Sequence, residues 1–415
     1  MKFIADFHIH SKYSRATSPK SDLENLNKRA EIKGVDVLGT GDFTHPKWFN
    51  ELKEKLKPEE EGLFRLRNSN SETRFILTAE IANIYIEKGK VRKVHNLIFS
   101  PTLEITEKIN NRLKKIGDLK VDGRPMLKLS SKDLLKIILD ISPKCFLTCC
   151  HAWTPWFGVF GSKSGFDSLE ECFGDYSKYI FSIETGLSSD PPMNWRISSL
   201  DRITLISNSD AHSPSKIGRE VNVFDTELNY SSIRNAIESK DPNKFLYTVE
   251  FYPQEGKYHY DGHRKCGISL SPKESEKYNN LCPVCGKPLT VGVLNRVEKL
   301  ADRKEGNTPS GAIPFKKLIP LEEIISEALS VGVKTKRVEK EYLKLIESIG
   351  SEFEILLNAE KKDLEGIVSS EIAEGIIRAR EGKVNIVPGY DGVFGKVKIF
   401  SKKENKNLLK QETLF

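Results

Sequence analysis

The residues with the clearest chemical potential are histidines and acids that lie within or just after short apolar runs. The runs cover residues 2–8, 35–40, 75–80, 94–99, 145–150, 179–183 and 203–207. The polar residues that accompany them are His8, His10, Asp42, Glu80, His95, His151, Glu184, Asp210 and His212. Imidazole and carboxylate groups together suit Zn, Mn or Fe, and a carboxylate such as Glu80 can bridge two ions. Two ions can activate water and stabilise an in-line displacement at phosphorus, so this set predicts metal-dependent phosphoryl chemistry.

The apolar runs themselves indicate how these side chains would meet. Helix-like segments lie between the runs, which is typical of an α/β domain with buried parallel strands. In an α/β barrel the C-terminal ends of the strands meet at one face, so ligands far apart in sequence converge there. Of the eight histidines in the chain, six (8, 10, 45, 95, 151 and 212) lie in or just beyond the predicted strand ends. A lone strand-end histidine is more often a core residue, but this combination predicts a metal site.

A second set of metal-type ligands lies further along the chain. It consists of two chelating pairs, separated by fifteen residues, which is the pattern of a closed tetrahedral zinc site. The segment around it, residues 255–303, is too poor in apolar residues to form a sizeable core, so we expect zinc to hold it together. His259 could replace His263 as the fourth ligand. The predicted zinc ligands are His263, Cys266, Cys282 and Cys285.

Composition limits the class of protein. The chain has 415 residues, of which 38% are hydrophobic and 30% charged, and no apolar run approaches the roughly 20 residues that span a bilayer. The start of the chain runs straight into His8-x-His10, which leaves no room for a signal peptide. We therefore expect a soluble, cytoplasmic protein without a membrane partner. The formal charge of +7 is compatible with a polyanionic partner, but Lys and Glu are interleaved, so charge alone does not predict one.

The strand-end motifs together resemble the polymerase-and-histidinol-phosphatase (PHP) superfamily. The resemblance rests on His8-x-His10, Gly41-Asp42, Thr78-Ala79-Glu80, His95, His151 and Ser209-Asp210-Ala211-His212. It implies a distorted (β/α)7 barrel with two or three divalent ions, which would be Zn, Mn, Mg or Fe. The implied ligands are His8, His10, Glu80 and Asp210 for one ion, Glu80, His95 and His151 for a second, and Asp42 and His212 for a third.

Four residues are candidates for catalysis. Glu80 and Asp210 are the carboxylates of the implied ligand set. Many PHP proteins have Asp-His at the second motif, whereas Asp42 is followed by Phe43 here, so His45 is a candidate for that role. Glu184 is a ligand, a base, or a strand-end carboxylate that binds a backbone amide.

The C-terminal part of the chain changes to helical apolar spacing between residues 318 and 380. Residues 357–380 resemble a degenerate helix-hairpin-helix in which Gly366 would permit the tight turn, and a plain helical hairpin is the alternative. The chain end, with Gln411, Leu414 and Phe415, resembles the motif that binds the replication sliding clamp. The expected domains are a PHP domain over 1–250, a zinc module over 255–303, a helical DNA-binding unit over 315–385 and a tail over 386–415.

The order of these parts resembles the endonuclease Q family. That resemblance implies a DNA repair endonuclease, which cuts the backbone on the 5′ side of hypoxanthine, uracil or an abasic site. Such an enzyme must take the lesion out of the base stack, so damaged DNA is the expected partner. The alternatives are a PHP-type small-molecule phosphatase and an inactive PHP scaffold that binds DNA. The candidate DNA and base contacts are Lys12, Tyr13, Arg15, Trp153, Trp156 and Phe157.

Overall fold

The computed structural model describes residues 1–401. Within that range no helix has both the length and the apolar character to cross a membrane. Gln411, Leu414 and Phe415 lie outside the described residues, so clamp binding stays a prediction. The chain divides into two compact units. Unit 1 comprises Met1–Glu31, Val35–Glu250 and Val291–Lys316, and unit 2 comprises Ile32–Gly34, Phe251–Thr290 and the chain from Lys317 onward.

Strands and helices are numbered in chain order over residues 1–401. The strands are β1 (Lys2–Asp6), β2 (Val37–Gly39), β3 (Leu56–Pro58), β4 (Leu63–Leu66), β5 (Arg74–Glu87), β6 (Lys90–Ser100), β7 (Met126–Leu127), β8 (Phe146–Cys149), β9 (Ser182–Glu184), β10 (Thr204–Ile206), β11 (Val221–Asp225), β12 (Phe245–Glu250), β13 (Asp261–His263), β14 (Ile268–Leu270), β15 (Phe315–Lys317), β16 (Asn385–Val387) and β17 (Lys396–Lys398). The helices are α1 (Leu23–Lys33), α2 (Pro46–Lys55), α3 (Leu103–Leu113), α4 (Ser131–Ile141), α5 (Leu169–Phe173), α6 (Pro191–Asn194), α7 (Tyr230–Ser239), α8 (Pro272–Lys277), α9 (Val293–Leu300), α10 (Leu321–Ala328), α11 (Lys336–Ile349), α12 (Glu352–Leu357), α13 (Lys361–Glu365) and α14 (Ser370–Arg380).

Unit 1 is built on one curled sheet. Its strand order is β10-β9-β8-β6-β5-β2-β1-β11-β12-β15, with β3, β4 and β7 attached beside this path. Each of the seven apolar runs of the sequence overlaps one of the strands β1, β2, β5, β6, β8, β9 and β10. An isolated parallel bridge between Ile9 and Ala211 joins the segments that follow β1 and β10, so the seven-strand path curls back on itself. The predicted α/β class is confirmed, and the sheet is curled as a distorted barrel requires.

One strand departs from the expected parallel arrangement. β6 runs antiparallel to both of its neighbours, β5 and β8. The reason is local: Lys88 and Gly89 both have positive φ, 49° and 75°, and such two-residue turns join antiparallel strands without a crossover helix. The starting half of β6 therefore lies at the same end of the sheet as the C-terminal ends of the parallel strands. His95 is paired with Ala82 of β5 and so lies at that end.

The core of unit 1 lies under the strand ends and is rich in aromatic rings. Phe99 and Phe146 stack with their ring centroids 4.1 Å apart, and Phe7 packs edge-on against Phe99 at 5.4 Å. All three side chains are at most 1% exposed. Burying a large apolar side chain contributes about 1.5–3 kcal/mol. The rigid core therefore anchors β1, whose chain continues directly from Phe7 into His8.

Unit 2 contains the zinc-type ligands and the C-terminal helices α10–α14. Two small hairpins, β13–β14 and β16–β17, accompany them. The helical character predicted between residues 318 and 380 is confirmed. Gly366, however, has right-handed helical geometry, with φ −72° and ψ −16°, so the turn between α13 and α14 does not use the conformational freedom of glycine. The proposed domain boundaries and a DNA-binding role for these helices stay predictions.

Candidate metal centre

The ends of the barrel strands carry the candidate ligands. Asp42, His151 and Asp210 each follow a strand closely and have positive φ values of 49°, 30° and 47°. For residues other than glycine this conformation costs about 1–3 kcal/mol and is retained mainly at functional sites. The sharp turns it creates keep these side chains at the end of the sheet instead of carrying them away from it.

His8, His10 and Asp210 form a first group of converging ligand atoms. Oδ1 of Asp210 lies 3.2 Å from Nε2 of His10 and 3.7 Å from Nε2 of His8. All three atoms are buried, and none makes a hydrogen bond of good geometry within residues 1–401. Buried polar atoms are normally paired. These two nitrogens and one oxygen can therefore direct their lone pairs at one bound cation.

Glu80, His95 and His151 form a second group beside the first. Oε1 of Glu80 lies 2.5 Å from Nδ1 of His95 and 3.2 Å from Nε2 of His151. The other oxygen, Oε2, lies 3.2 Å from Nε2 of His10 and 3.6 Å from Nε2 of His8. The two oxygens of one carboxylate therefore face two separate groups, which is the arrangement of a bridging ligand.

Two carboxylates lie behind the histidines of the first group. Nδ1 of His8 is 3.0 Å from both oxygens of Glu184, and Nδ1 of His10 is 3.0 Å from Oδ1 of Asp42. Carboxylates in this position fix the tautomer and the ring orientation of a ligating histidine, so that Nε2 is left for the metal. Glu184 also accepts a hydrogen bond from the backbone N–H of His151, at 2.9 Å. Of the roles considered for Glu184, the amide-binding carboxylate matches this geometry.

The side chain of Asp42 is fully engaged by its neighbours. Its Oδ2 accepts hydrogen bonds from the backbone N–H and the hydroxyl of Ser11, both at 2.7 Å, and from the hydroxyl of Ser14 at 2.9 Å. His212 lies against His10, with ring centroids 4.5 Å apart, and its Nδ1 is 3.6 Å from Oδ1 of Asp210. In residues 1–401 neither Asp42 nor His212 belongs to a group of residues whose ligand atoms all lie within 4.8 Å of one another. The structure thus brings together the implied ligands of two ions but not those of the third.

His45 lies apart from both groups. It occupies the N-cap position of α2, and its ring stacks on Tyr13 with centroids 4.4 Å apart. Its Nε2 lies 3.3 Å from the carbonyl oxygen of Lys120. The ring is therefore held by stacking and by a backbone contact.

The electrostatics hold Glu80, Asp210 and His95 in the protonation states that metal ligands need, whereas for His8, His10 and His151 the nearby carboxylates outweigh burial and raise the pKa. Burial raises the pKa of Glu80, but His95, Arg124 and His8 outweigh this and hold that pKa well below its usual range. Burial also raises the pKa of Asp210, but His10 and His8 lower it to a greater extent. Burial lowers the pKa of His95 to about 4. At neutral pH both carboxylates are therefore anionic and His95 is neutral, as coordination requires.

A cavity of about 480 Å³ opens beside the two ligand groups. Trp156 and Phe157 lie in its wall, as does Arg15, whose Nε is 3.4 Å from Asp122. Trp153 is only 1% exposed and donates a hydrogen bond to Asn194, so it belongs to the packed interior. The residues that line the cavity include Arg15, Asp122, Arg124, Met126, His95, His151, Trp156, Phe157, Glu184 and Asp210.

Besides Trp153, two of the predicted DNA contacts, Lys12 and Tyr13, lie outside this cavity lining. The ammonium group of Lys12 and the hydroxyl of Tyr13 both contact the carboxylate of Glu51, at 3.0 and 2.7 Å. Both side chains are partly buried. Through Glu51 they are tied to the middle of α2 in unit 1.

Arg124 is a site residue that no motif in the sequence indicates. Its Nη1 donates a hydrogen bond to Oε2 of Glu80 at 3.1 Å, and its side chain, 25% exposed, lines the cavity. The preceding residue, Gly123, packs so closely on the metal loops that a Cβ atom would lie 2.4 Å from the side chains of Asp42 and Ser14. A loop residue of this kind carries no periodic signal. No motif indicates Cys150 either, yet its sulfur and ligand atoms of His8 and Glu80 lie within 4.8 Å of one another.

The predicted zinc ligands come together in unit 2. Ligand atoms of His263, Cys266, Cys282 and Cys285 all lie within 4.8 Å of one another, and His259 is not part of this group. Desolvation raises the pKa of Cys282, but hydrogen bonds from the backbone N–H groups of Cys285 and Val284 outweigh it and lower that pKa to about 6. A lowered thiol pKa favours the thiolate, which is the form that binds zinc.

The histidine and carboxylate groups that converge at the strand ends of this α/β barrel are those of a metal-dependent enzyme. The family model of the MJ0043 C-terminal domain matches residues 320–383. The uncharacterized protein MJ0043 of Methanocaldococcus jannaschii is 37% identical over 258 residues, which are 60% of this chain and 32% of that protein. The chain thus spans about a third of that relative's length.

Two solved structures resemble the chain over almost its full length. The lesion-specific endonuclease PfuEndoQ from Pyrococcus furiosus is 30% identical, with a TM-score of 0.85 over 98% of this chain and 99% of that one. An endonuclease Q in complex with a 27-mer duplex substrate, with an abasic lesion at the active site, is 31% identical, with a TM-score of 0.84 over 97% and 98%. The chain belongs to the endonuclease Q family.

Proposed function

We propose that this chain is a metal-dependent DNA repair endonuclease, which hydrolyses the backbone on the 5′ side of deaminated bases and abasic sites. The observation that carries the proposal is the position of Glu80, whose two oxygens face two ligand groups next to a cavity of about 480 Å³. Family membership supports it, because one solved relative is a lesion-specific endonuclease and another holds duplex DNA with an abasic lesion.

Two divalent ions are proposed for the barrel. His8, His10, Glu80 and Asp210 would hold one, and Glu80, His95 and His151 the other. Nitrogen and oxygen ligands of this kind suit Zn, Mn or Fe, and Mg is the fourth candidate. When bound, the ions supply an activated water and neutralise charge on the phosphate. The third ion implied by the resemblance is the least supported, because Asp42 is engaged with His10 and two serines.

The chain's own residues prepare the site in three ways. Glu184 and Asp42 hold the imidazoles of His8 and His10 in one orientation, so that both Nε2 atoms face the centre. Arg124 places a fixed positive charge beside Glu80 and within reach of an anionic substrate in the cavity. Trp156 and Phe157 offer apolar surface on which an extruded base can pack.

The remaining parts are proposed to support this reaction. One zinc ion bound by His263, Cys266, Cys282 and Cys285 would hold the small module of unit 2 together. The C-terminal helices would bind DNA, with lesions such as hypoxanthine or uracil held at the barrel. Binding of the sliding clamp by Gln411, Leu414 and Phe415 remains part of this proposal on sequence alone.

The proposal is tested with end-labelled duplexes that contain one hypoxanthine, one uracil, one abasic site or no lesion. Purified protein is supplemented with manganese or magnesium, and Asp210→Asn serves as the matched control. We expect a nick immediately 5′ of the lesion that is absent from the undamaged duplex and from the variant. Hydrolysis of a small phosphate ester without any nicking would replace the endonuclease by the phosphatase. Lesion binding without hydrolysis of either substrate would support the inactive scaffold.

A further inference from the structure

Strands β5 and β6 continue past the barrel as a free two-stranded ribbon. β8 pairs with β6 only at Asn96–Phe99, whereas β5 and β6 pair with each other out to Glu87 and Lys90. In the described part of the chain no other strand pairs with residues 84–93. At about 3.3 Å per residue, the six residues from Ala82 to the Lys88 turn extend about 20 Å. The ribbon is therefore a projecting hairpin of unit 1.

The two faces of this hairpin differ in their surroundings. Cross-strand partners share a face, and the Tyr85–Arg92 pair is on the face that packs against the protein. There Arg92 bonds to Glu171 at 2.9 Å, and its guanidinium lies 3.9 Å from the ring of Phe166. On the opposite face Ile86 is 76% exposed and its partner Val91 is 53% exposed. These two apolar side chains contribute little to the packing of the barrel.

The exposed face lies next to the cavity of the metal centre. At the base of the hairpin, the paired residues Ala82 and His95 both line the cavity. The ammonium group of Lys93, on the exposed face, lies 5.1 Å from the ring of Trp156, which also lines the cavity. Ile86 is four residues beyond Ala82, which is about 13 Å along the strand. The apolar pair therefore lies within reach of the duplex around a nucleotide that occupies the cavity.

The charge of the hairpin suits a nucleic acid. Residues 84–93 contain Lys88, Lys90, Arg92 and Lys93 but only one acid, Glu87. Lys88 lies in the turn and Lys90 directly follows it, and both side chains are exposed. Positive side chains at the tip of the hairpin can contact phosphates while the apolar pair faces the bases.

We propose that this hairpin is a wedge that enters duplex DNA beside the lesion. Ile86 and Val91 occupy the space that the extruded nucleotide leaves, and Lys88 and Lys90 hold the adjacent phosphates. The physical reason is that extrusion leaves bases unstacked, and apolar side chains inserted at such steps replace part of the lost stacking. The inference rests on the proposed function, because it assigns to the hairpin the opening of the duplex that the cleavage requires.

The test compares one lesion in two settings. The double variant Ile86→Ser/Val91→Ser, in which only exposed side chains change, is assayed under single-turnover conditions. One substrate carries an abasic site in a fully paired duplex, and the other carries it in a bubble of unpaired bases. Since unstacking a step costs a few kcal/mol, we expect at least about a tenfold loss on the paired duplex and about wild-type cleavage on the bubble. The matched control is Tyr179→Ser, an exposed aromatic residue, 43% accessible, that precedes β9 at the opposite end of the sheet.

A second measurement does not depend on cleavage. In the Asp210→Asn background, 2-aminopurine placed next to the lesion reports unstacking by a rise in fluorescence on binding. The wedge predicts a smaller rise when Ile86→Ser and Val91→Ser are added. An equal loss on duplex and bubble, or unchanged cleavage and fluorescence, would overturn the wedge while leaving the endonuclease in place. Failure of the wild type to cut any lesion would instead overturn the proposed function, and the fluorescence would then decide the wedge alone.

Discussion

Both carboxylate oxygens of Glu184 lie 3.0 Å from Nδ1 of His8, on the side of the imidazole that faces away from the ligand group. Glu184 therefore acts on the metal centre through His8. We expect Glu184→Gln to weaken metal binding by about 10–100-fold, which is the usual effect of losing such a carboxylate partner. Titration of the metal-free protein against a chelating indicator measures this directly.

The comparison for this variant is Asp210→Asn, which changes a candidate ligand itself. A direct ligand should cost more affinity than a residue that orients one, so Asp210→Asn is expected to bind metal more weakly than Glu184→Gln. If Glu184→Gln binds metal as tightly as the wild type does, the orienting role is wrong.

The cysteine and histidine group of unit 2 is expected to stabilise the protein against unfolding by binding zinc. Cys282→Ser removes one of four atoms that lie within 4.8 Å of one another. Because a site of this kind couples metal binding to folding, we expect the variant to lose about one zinc per chain and to unfold at lower temperature. His259→Gln is the matched control, because His259 lies nearby in sequence but outside the ligand group. Loss of zinc from His259→Gln with retention in Cys282→Ser would reverse the assignment.

Glu250 makes the free energy of unfolding depend on pH. Its side chain is buried, and its oxygens contact the hydroxyls of Thr185 and Thr248 at 2.8 and 2.5 Å. Burial raises its pKa from 4.5 to about 7. A carboxyl group with a raised folded-state pKa stabilises the protein fully below pH 4.5, and this contribution is lost as the pH rises through about 7.

The measurement for Glu250 is chemical denaturation between pH 5 and 8. Integrated over the shift, the loss of stability is about 3 kcal/mol, and Glu250→Gln should remove it because an amide stays neutral. Asp6, whose pKa is raised by burial to about 6, gives a smaller effect of the same sign that should persist in the variant. Equal pH dependence of wild type and Glu250→Gln would show that Glu250 is ionised in the folded protein.

Much of the barrel could be predicted from the sequence because short apolar runs accompanied by histidines and acids are easily recognised. Apolar runs marked the strands, and His8, Glu80 and Asp210 stood where parallel strands deliver side chains to one face. The direction of β6 could not be read from its apolar residues, since hydrophobicity is the same in both directions. The local signal was the Lys88-Gly89 turn.

The roles of individual carboxylates were harder to predict than their presence. Asp42 and Glu80 have the same chemistry and similar positions after or within strands. Asp42 lies behind His10, whereas Glu80 lies between His10 and His95. The difference arises from a few ångströms in the placement of the backbone. Arg124 was missed for a related reason, because its position depends on how closely Gly123 packs against Asp42 and Ser14.

Substitutions of Arg124 can distinguish the effect of its positive charge on the reaction from its role in holding Glu80. Its hydrogen bond to Glu80 and its position in the cavity wall allow it to stabilise an anionic phosphate that is being attacked. We expect Arg124→Met to lower the single-turnover rate by about 100-fold with little change in folding, and Arg124→Lys to recover part of it, because a lysine retains the charge but not the planar fork. Added guanidinium should rescue an Arg124→Ala variant, since the cavity would then have room for it. Unchanged rates in Arg124→Met, or rates that fall only in step with metal content, would assign Arg124 to holding Glu80 alone.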